Sequence, residues 1–128
     1  GNDVSERQFQ RSDRQWLRAK SSDTFAPTGP AIVTKDEIPD PHELTLGSKV
    51  NGEVRQNSSA SLMIFKIPKL VEFISHYLTL EPGDMIFTGT PPGVGLGLKP
   101  PRFLGAGDQV EIWIETIGSI VNTVVRGD

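Results

Sequence analysis

The 128-residue chain contains no cysteine. That absence excludes a disulfide framework and any thiolate metal centre, so a metal bound here would sit on oxygen or imidazole ligands, which favours a hard cation. No apolar run approaches the roughly 20 residues of a membrane-spanning helix, so a membrane partner is not expected. A basic stripe is missing too. The 13 Lys and Arg are scattered among 16 Asp and Glu, and a formal net charge of -3 argues against a nucleic-acid partner. Neither the basic region nor the apolar stretch of a signal peptide stands at the beginning, which makes the cytoplasm the expected compartment. What is present, 36% hydrophobic and 23% charged residues, is the composition of a soluble globular protein. At this length one domain with its own core is expected.

The densest group of chemically capable side chains comes first: Asp3, Arg7, Gln10 and Lys20. Ser5, with Gln8 three residues on, has the spacing of a capping box and predicts a short helix starting at Ser5. On such a helix Arg7 and Gln10 are three apart, and Asp3 lies four before Arg7, so all three can line one side. A solvated helix with an exposed Asp and Arg at pairing distance explains the same spacing equally well. Asn2-Asp3 follows a single Gly with no strand to deliver it, so the chain is expected to begin within a larger architecture.

Further along, residues 20–30 read as a loop and Ala31-Ile32-Val33-Thr34 as a short buried strand. Asp36 to His42 holds two prolines and should be irregular, with His42 a turn residue rather than a ligand. Leu44 to Val50 and Glu53 to Gln56 flank Asn51-Gly52, the two-residue signal of a type I′ hairpin. Asn57 to Ser61 is polar and loop-like. Ile67, Leu70, Val71, Ile74 and Leu78 then recur at helical spacing, with Pro68 in the first turn and His76 near the favourable end of the dipole. Met85-Ile86-Phe87 predicts a strand. The glycine-rich Thr88 to Gly95 behind it is either a seat for a carboxylate or phosphate or a tight turn. It is neither a P-loop nor a dinucleotide fingerprint. Val110, Ile112 and Ile114 alternate with Glu111, Trp113 and Glu115 as a half-buried strand does, and Ile117-Gly118 turns the chain into Ile120 to Val125. The expected class is β-rich α+β, with about seven short strands, two helices and much of the sheet antiparallel.

Six runs occur in an order that resembles the fumarylacetoacetate hydrolase family. They are Asn2-Asp3-Val4-Ser5-Glu6-Arg7, Ala19-Lys20-Ser21, Ile38-Pro39-Asp40-Pro41-His42, Val50-Asn51-Gly52-Glu53-Val54-Arg55-Gln56, Met63-Ile64-Phe65 and Gly83 to Gly95. The match covers essentially residues 1–128 and is most similar to the domain-containing members: acylpyruvate hydrolases, oxaloacetate decarboxylases and tautomerases, and 2-hydroxyhepta-2,4-diene-1,7-dioate isomerases. The resemblance implies a mixed β-sandwich or β-roll catalytic domain, incomplete at its N-terminus here and usually homodimeric. It implies Mg²⁺ or Mn²⁺ bound by three carboxylates and a 2-oxo acid substrate. Carried over residue by residue, it makes Asp3 a metal ligand, Lys20 a catalytic residue, and Arg7, Gln10 and Thr90 substrate-binding residues. The chemistry implied is an enolate that the cation and Lys20 stabilise while Arg7, Gln10 and Thr90 fix the acid groups.

The chain departs from the family pattern at Glu6 and Gln8, where an alanine and an acid are usual, and at Ser22, where a phenylalanine is usual. The family's Glu-x-Glu metal pair and its His-Glu catalytic pair precede the Asn-Asp motif, and nothing in this chain replaces them. Glu53 is followed two residues on by Arg55 instead of a second acid. Two expectations follow: a metal-dependent enzyme for the parent protein, and a metal-poor, inactive scaffold for these residues alone.

Overall fold

The computed structural model describes residues 1–127 and is organised by one four-stranded sheet in the order β2-β1-β3-β4. β1 (Thr45–Val50) and β2 (Glu53–Ser59) form the predicted hairpin, with Val50 opposite Glu53. At its tip Asn51 and Gly52 have φ of 51° and 81°, the positive pair that a type I′ turn requires. The Asn51 side chain ties that tip to the next strand, donating to Asp108 Oδ1 at 2.8 Å and accepting from the Gln109 N–H at 2.9 Å. β3 (Gln109–Ile114) and β4 (Gly118–Thr123) complete an entirely antiparallel sheet. Lys49 and Glu111 are directly opposite across β1 and β3, and their side chains pair at 3.0 Å.

Among the described residues three α-helices accompany the sheet: α1 (Arg7–Ser12), α2 (Trp16–Lys20) and α3 (Ile67–Ser75). α1 starts later than the capping-box spacing predicts. The carboxylate of Glu6 accepts from the Gln8 N–H at 2.8 Å and is the cap, whereas Ser5 Oγ donates backward to the Asp3 carbonyl. α3 carries Pro68 in its first turn as expected. His42 accepts the Ile67 N–H through Nε2 at 3.1 Å while its Nδ1 meets Asp40 at 2.9 Å, so it pins the start of α3. His76 Nδ1 donates to the Glu72 carbonyl at the other end, since a carbonyl can only accept.

Several element expectations need correction, and the described residues hold four strands and three α-helices where about seven and two were expected. Ala31 to Thr34 is not a buried strand: Ile32 is 95% exposed, and the Thr34 carbonyl accepts from Glu37 and Ile38 in a turn. Met85 to Phe87 likewise forms no ladder among the described residues, and all three side chains are exposed. A strand exists only with a neighbour to receive its hydrogen bonds, and apolar composition does not provide one. In the opposite sense, polar Asn57 to Ser59 belongs to β2 because Thr45 to Gly47 lie opposite to pair with it.

The expected self-contained core is also absent from the described residues. Ala19 and Val110 are the buried hydrophobic residues, while Phe65, Phe73, Tyr77, Met85 and Phe87 are exposed. The chain exposes 9679 Å², against about 6700 Å² for a compact protein of this mass.

Candidate functional site

Asn2 anchors the first turn. It is nearly buried, its N–H donates to the Pro27 carbonyl at 2.9 Å, and its side-chain amide reaches Asn122 Oδ1 at 3.3 Å on β4. The Glu6 N–H then donates to the carbonyl of fully buried Ala19 at 2.9 Å, which joins the entry of α1 to the exit of α2. Asp3 and Lys20 are the residues next to these two anchor regions. Their side chains meet at 2.7 Å, Lys20 Nζ donating to Asp3 Oδ2. The Lys20 side chain keeps 29% of its surface accessible and that of Asp3 47%, so both remain open to a ligand.

Arg7 and Gln10 also meet as their spacing predicts, with Arg7 Nη1 donating to Gln10 Oε1 at 2.6 Å. A broad open hollow runs from this region across the sheet, and its lining includes Asp3, Arg7, Lys20 and Thr90. The structure thus brings four of the five assigned residues to one surface. Gln10 bonds Arg7 but is outside that lining.

Thr90 is held by a residue that spacing did not reveal. Gln56 Nε2 donates to Thr90 Oγ1 and to the Pro91 carbonyl, each at 2.7 Å, and Gln56 Oε1 accepts from Ser48 Oγ at 2.8 Å. Ser48 and Gln56 are opposite one another in β1 and β2, at a bulge where Arg55 is the extra residue. A bulge of this kind re-aims side chains next to a site. The sequence signal was there, because Gln56 closes the Val50 to Gln56 run, but its partner is 34 residues away and depends on the bulge. Gly93 completes the seat: with φ of 114°, it lies so close to β2 that a Cβ would overlap the Arg55 carbonyl oxygen.

Several carboxylates elsewhere are engaged by neighbouring groups. Glu53 is held by Arg102 at 3.1 Å and by Arg55 at 3.5 Å. The Gly105 N–H and then the Asn51 side chain hold the Asp108 carboxyl below its ordinary value, and the backbone and side chain of His42 do the same for Asp40. Among the described residues no three His, Asp or Glu side chains converge to hold a metal ion. One carboxylate already paired with an ammonium does not satisfy a divalent cation, which takes six or more oxygen ligands. By themselves the residues present do not fit the expected metal.

The hollow over the antiparallel sheet thus carries cationic, carboxylate and hydroxyl side chains together. Residues 1–125 match the family described as fumarylacetoacetate (FAA) hydrolase C-terminal, and the chain belongs to that family. It is 52% identical over 126 residues to a Bos taurus protein named oxaloacetate tautomerase FAHD2A, mitochondrial, covering 97% of this chain and 40% of that one. Among solved structures, a fumarylacetoacetate hydrolase from Exiguobacterium antarcticum shares the fold at a TM-score of 0.94 and 44% identity, over 98% of this chain and 45% of that one. A 2-hydroxyhepta-2,4-diene-1,7-dioate isomerase from Mycobacterium marinum matches at a TM-score of 0.85 and 52% identity, over 97% and 45%. The chain therefore spans about 40% of the length of the curated relatives it matches.

Proposed function

We propose that the whole protein carrying this chain is an enzyme acting on 2-oxo acids through an enolate, and that this chain supplies the cationic, hydrogen-bonding side of its site. The observation that carries the proposal is the meeting of Lys20 with Asp3 on the same hollow that Arg7 and Thr90 line. Similarity to proteins named as oxaloacetate tautomerase and diene-dioate isomerase supports it.

The chemistry follows from those residue types. When a bond at the carbon beside a keto group gives up its electrons, charge collects on the keto oxygen. An ammonium such as that of Lys20, in reach of that oxygen, stabilises the charge where it develops, and removing a donor of this kind typically costs about 10² to 10³ in rate. The Arg7 guanidinium and the Thr90 hydroxyl suit the acid groups, because carboxylates pair best with charged or fixed donors. Gln10 acts through Arg7, whose guanidinium it holds. C–C hydrolysis, decarboxylation, tautomerisation and isomerisation all share this enolate.

Asp3 is proposed as one oxygen donor to a divalent cation, Mg²⁺ or Mn²⁺, with further donors from outside the described residues. A homodimer is proposed because the chain leaves so much apolar surface uncovered. For compartment we propose the cytoplasm; the mitochondrial name of the bovine relative marks the alternative that fractionation would reveal. The absence of a converging acid cluster among the described residues favours a second reading for the 128 residues in isolation, a non-catalytic scaffold. The test assays the whole protein against oxaloacetate, an acylpyruvate and a hydroxy-diene-dioate. Turnover of at least one is expected, and inertness toward all three contradicts the proposal.

A further inference from the structure

The hydrogen bonds around Gln56 have only one consistent direction. The Pro91 carbonyl oxygen can only accept, so the Gln56 atom 2.7 Å from it is the amide nitrogen. That places Oε1 against Ser48 Oγ at 2.8 Å, where the hydroxyl of nearly buried Ser48 must donate. The same Nε2 stands 2.7 Å from Thr90 Oγ1, so its second hydrogen goes to Thr90 and the Thr90 oxygen accepts. A threonine hydroxyl has one hydrogen. With its oxygen engaged by Gln56, that hydrogen is left to point to the hollow that Thr90 lines.

We infer that Gln56 is a positioning residue that fixes the polarity of Thr90, holding its hydroxyl as a donor toward an acceptor oxygen of the bound acid. This rests on the proposed role of Thr90 in holding a 2-oxo acid. It goes further in assigning a direction to the bond, a residue that sets the direction, and an acceptor-only carbonyl, that of Pro91, that prevents the amide from turning over. Two structural details support a built arrangement. The bulge at Arg55 sets Gln56 opposite Ser48, and Gly93 lets the loop approach β2 closely enough for Thr90 and Pro91 to share one amide.

The polarity has a chemical consequence. A donor hydroxyl favours anionic acids, whereas a hydroxyl turned to donate toward position 56 would present lone pairs to them. Gln56→Glu makes that reversal with little change of shape, because a carboxylate accepts from both Ser48 and Thr90 and donates to neither.

The test is a variant series in the whole protein, with oxalate, a planar dianion resembling the enolate of a 2-oxo acid, as the binding probe. Gln56→Glu and Thr90→Val should each weaken oxalate binding about ten-fold to a hundred-fold, the range for losing a hydrogen bond to a charged group. The same loss should appear in KM with kcat little changed, because the contact is made in both ground and transition states. Thr90→Ser, which keeps the hydroxyl, should restore binding to near wild type. Because Gln56→Glu also adds a negative charge to the lining of the hollow, the coupling is read with the neutral Gln56→Met, and Gln56→Met/Thr90→Val should bind no more weakly than Thr90→Val alone. Additive losses, or a Gln56→Glu protein that binds oxalate like wild type, would overturn the inference. A wild type that neither turns over nor binds any of these acids refutes the functional proposal instead. The positioning is then decided by NMR of the Gln56 side-chain amide, whose resonances should move in Thr90→Val and whose constancy would overturn it.

Discussion

Asp3 and Lys20 are separated by 17 positions and joined by one 2.7 Å bond, made possible by the backbone bond from Glu6 to Ala19. The Arg7 to Gln10 pair was legible in spacing, because residues three apart share a helix face. Lys20 beside Asp3 was not, since a contact across two short helices depends on the turn between them. Gln56 stood out only as the end of the Val50 to Gln56 run, and its bond to Thr90 was hidden for the same reason at longer range. At this scale the acid response of the fold can also be predicted. The Asp108 carboxyl is lowered by the Gly105 N–H and then by Asn51, so its contribution to stability is present above the unfolded value near 3.8 and is lost as pH falls through the lower folded value. Thermal midpoints should therefore drop as pH falls below about 4. In Asp108→Asn the drop should be smaller, and an identical pH profile would remove Asp108 from the account.

Most elements with local instructions formed as read, the capping box at Ser5 excepted. The Asn51-Gly52 hairpin pairs Val50 with Glu53 at its tip, the alternating run at Val110 to Ile114 lies in β3, and Pro68 is in the first turn of α3. Elements needing a distant partner did not, as Ala31 to Thr34 and Met85 to Phe87 show; apolar composition specifies burial without naming the neighbour. The glycine-rich loop gains meaning only from what it touches. Its Gly93 faces the Arg55 carbonyl oxygen, and Gly93→Ala would force the loop off β2. A loss of about 2 kcal/mol or more in stability is expected from strain at such a position. Because Thr90 and Pro91 ride on the same loop, oxalate binding should weaken with it. Unchanged stability and binding in this variant would show that the seat of the loop is unimportant.

For the whole molecule, the exposed apolar side chains of α3 and the neighbouring loops contrast with a sheet whose four strands are joined in one antiparallel order. The family and β-rich class were legible because ordered short runs and strand alternation are properties of the chain itself. Covered surface was not, since it depends on whatever packs against the chain. The same division applies to the site: this chain presents Lys20, Arg7 and Thr90 on one hollow, whereas a converging set of carboxylates is absent among the described residues. The central claim is that this cationic side stabilises an enolate, and it rests on Lys20. The most direct measurement is kcat/KM for oxaloacetate in the whole protein, wild type against Lys20→Ala, with folding checked by circular dichroism. A loss of at least about 10² with the fold intact is predicted, and turnover near that of wild type would contradict it.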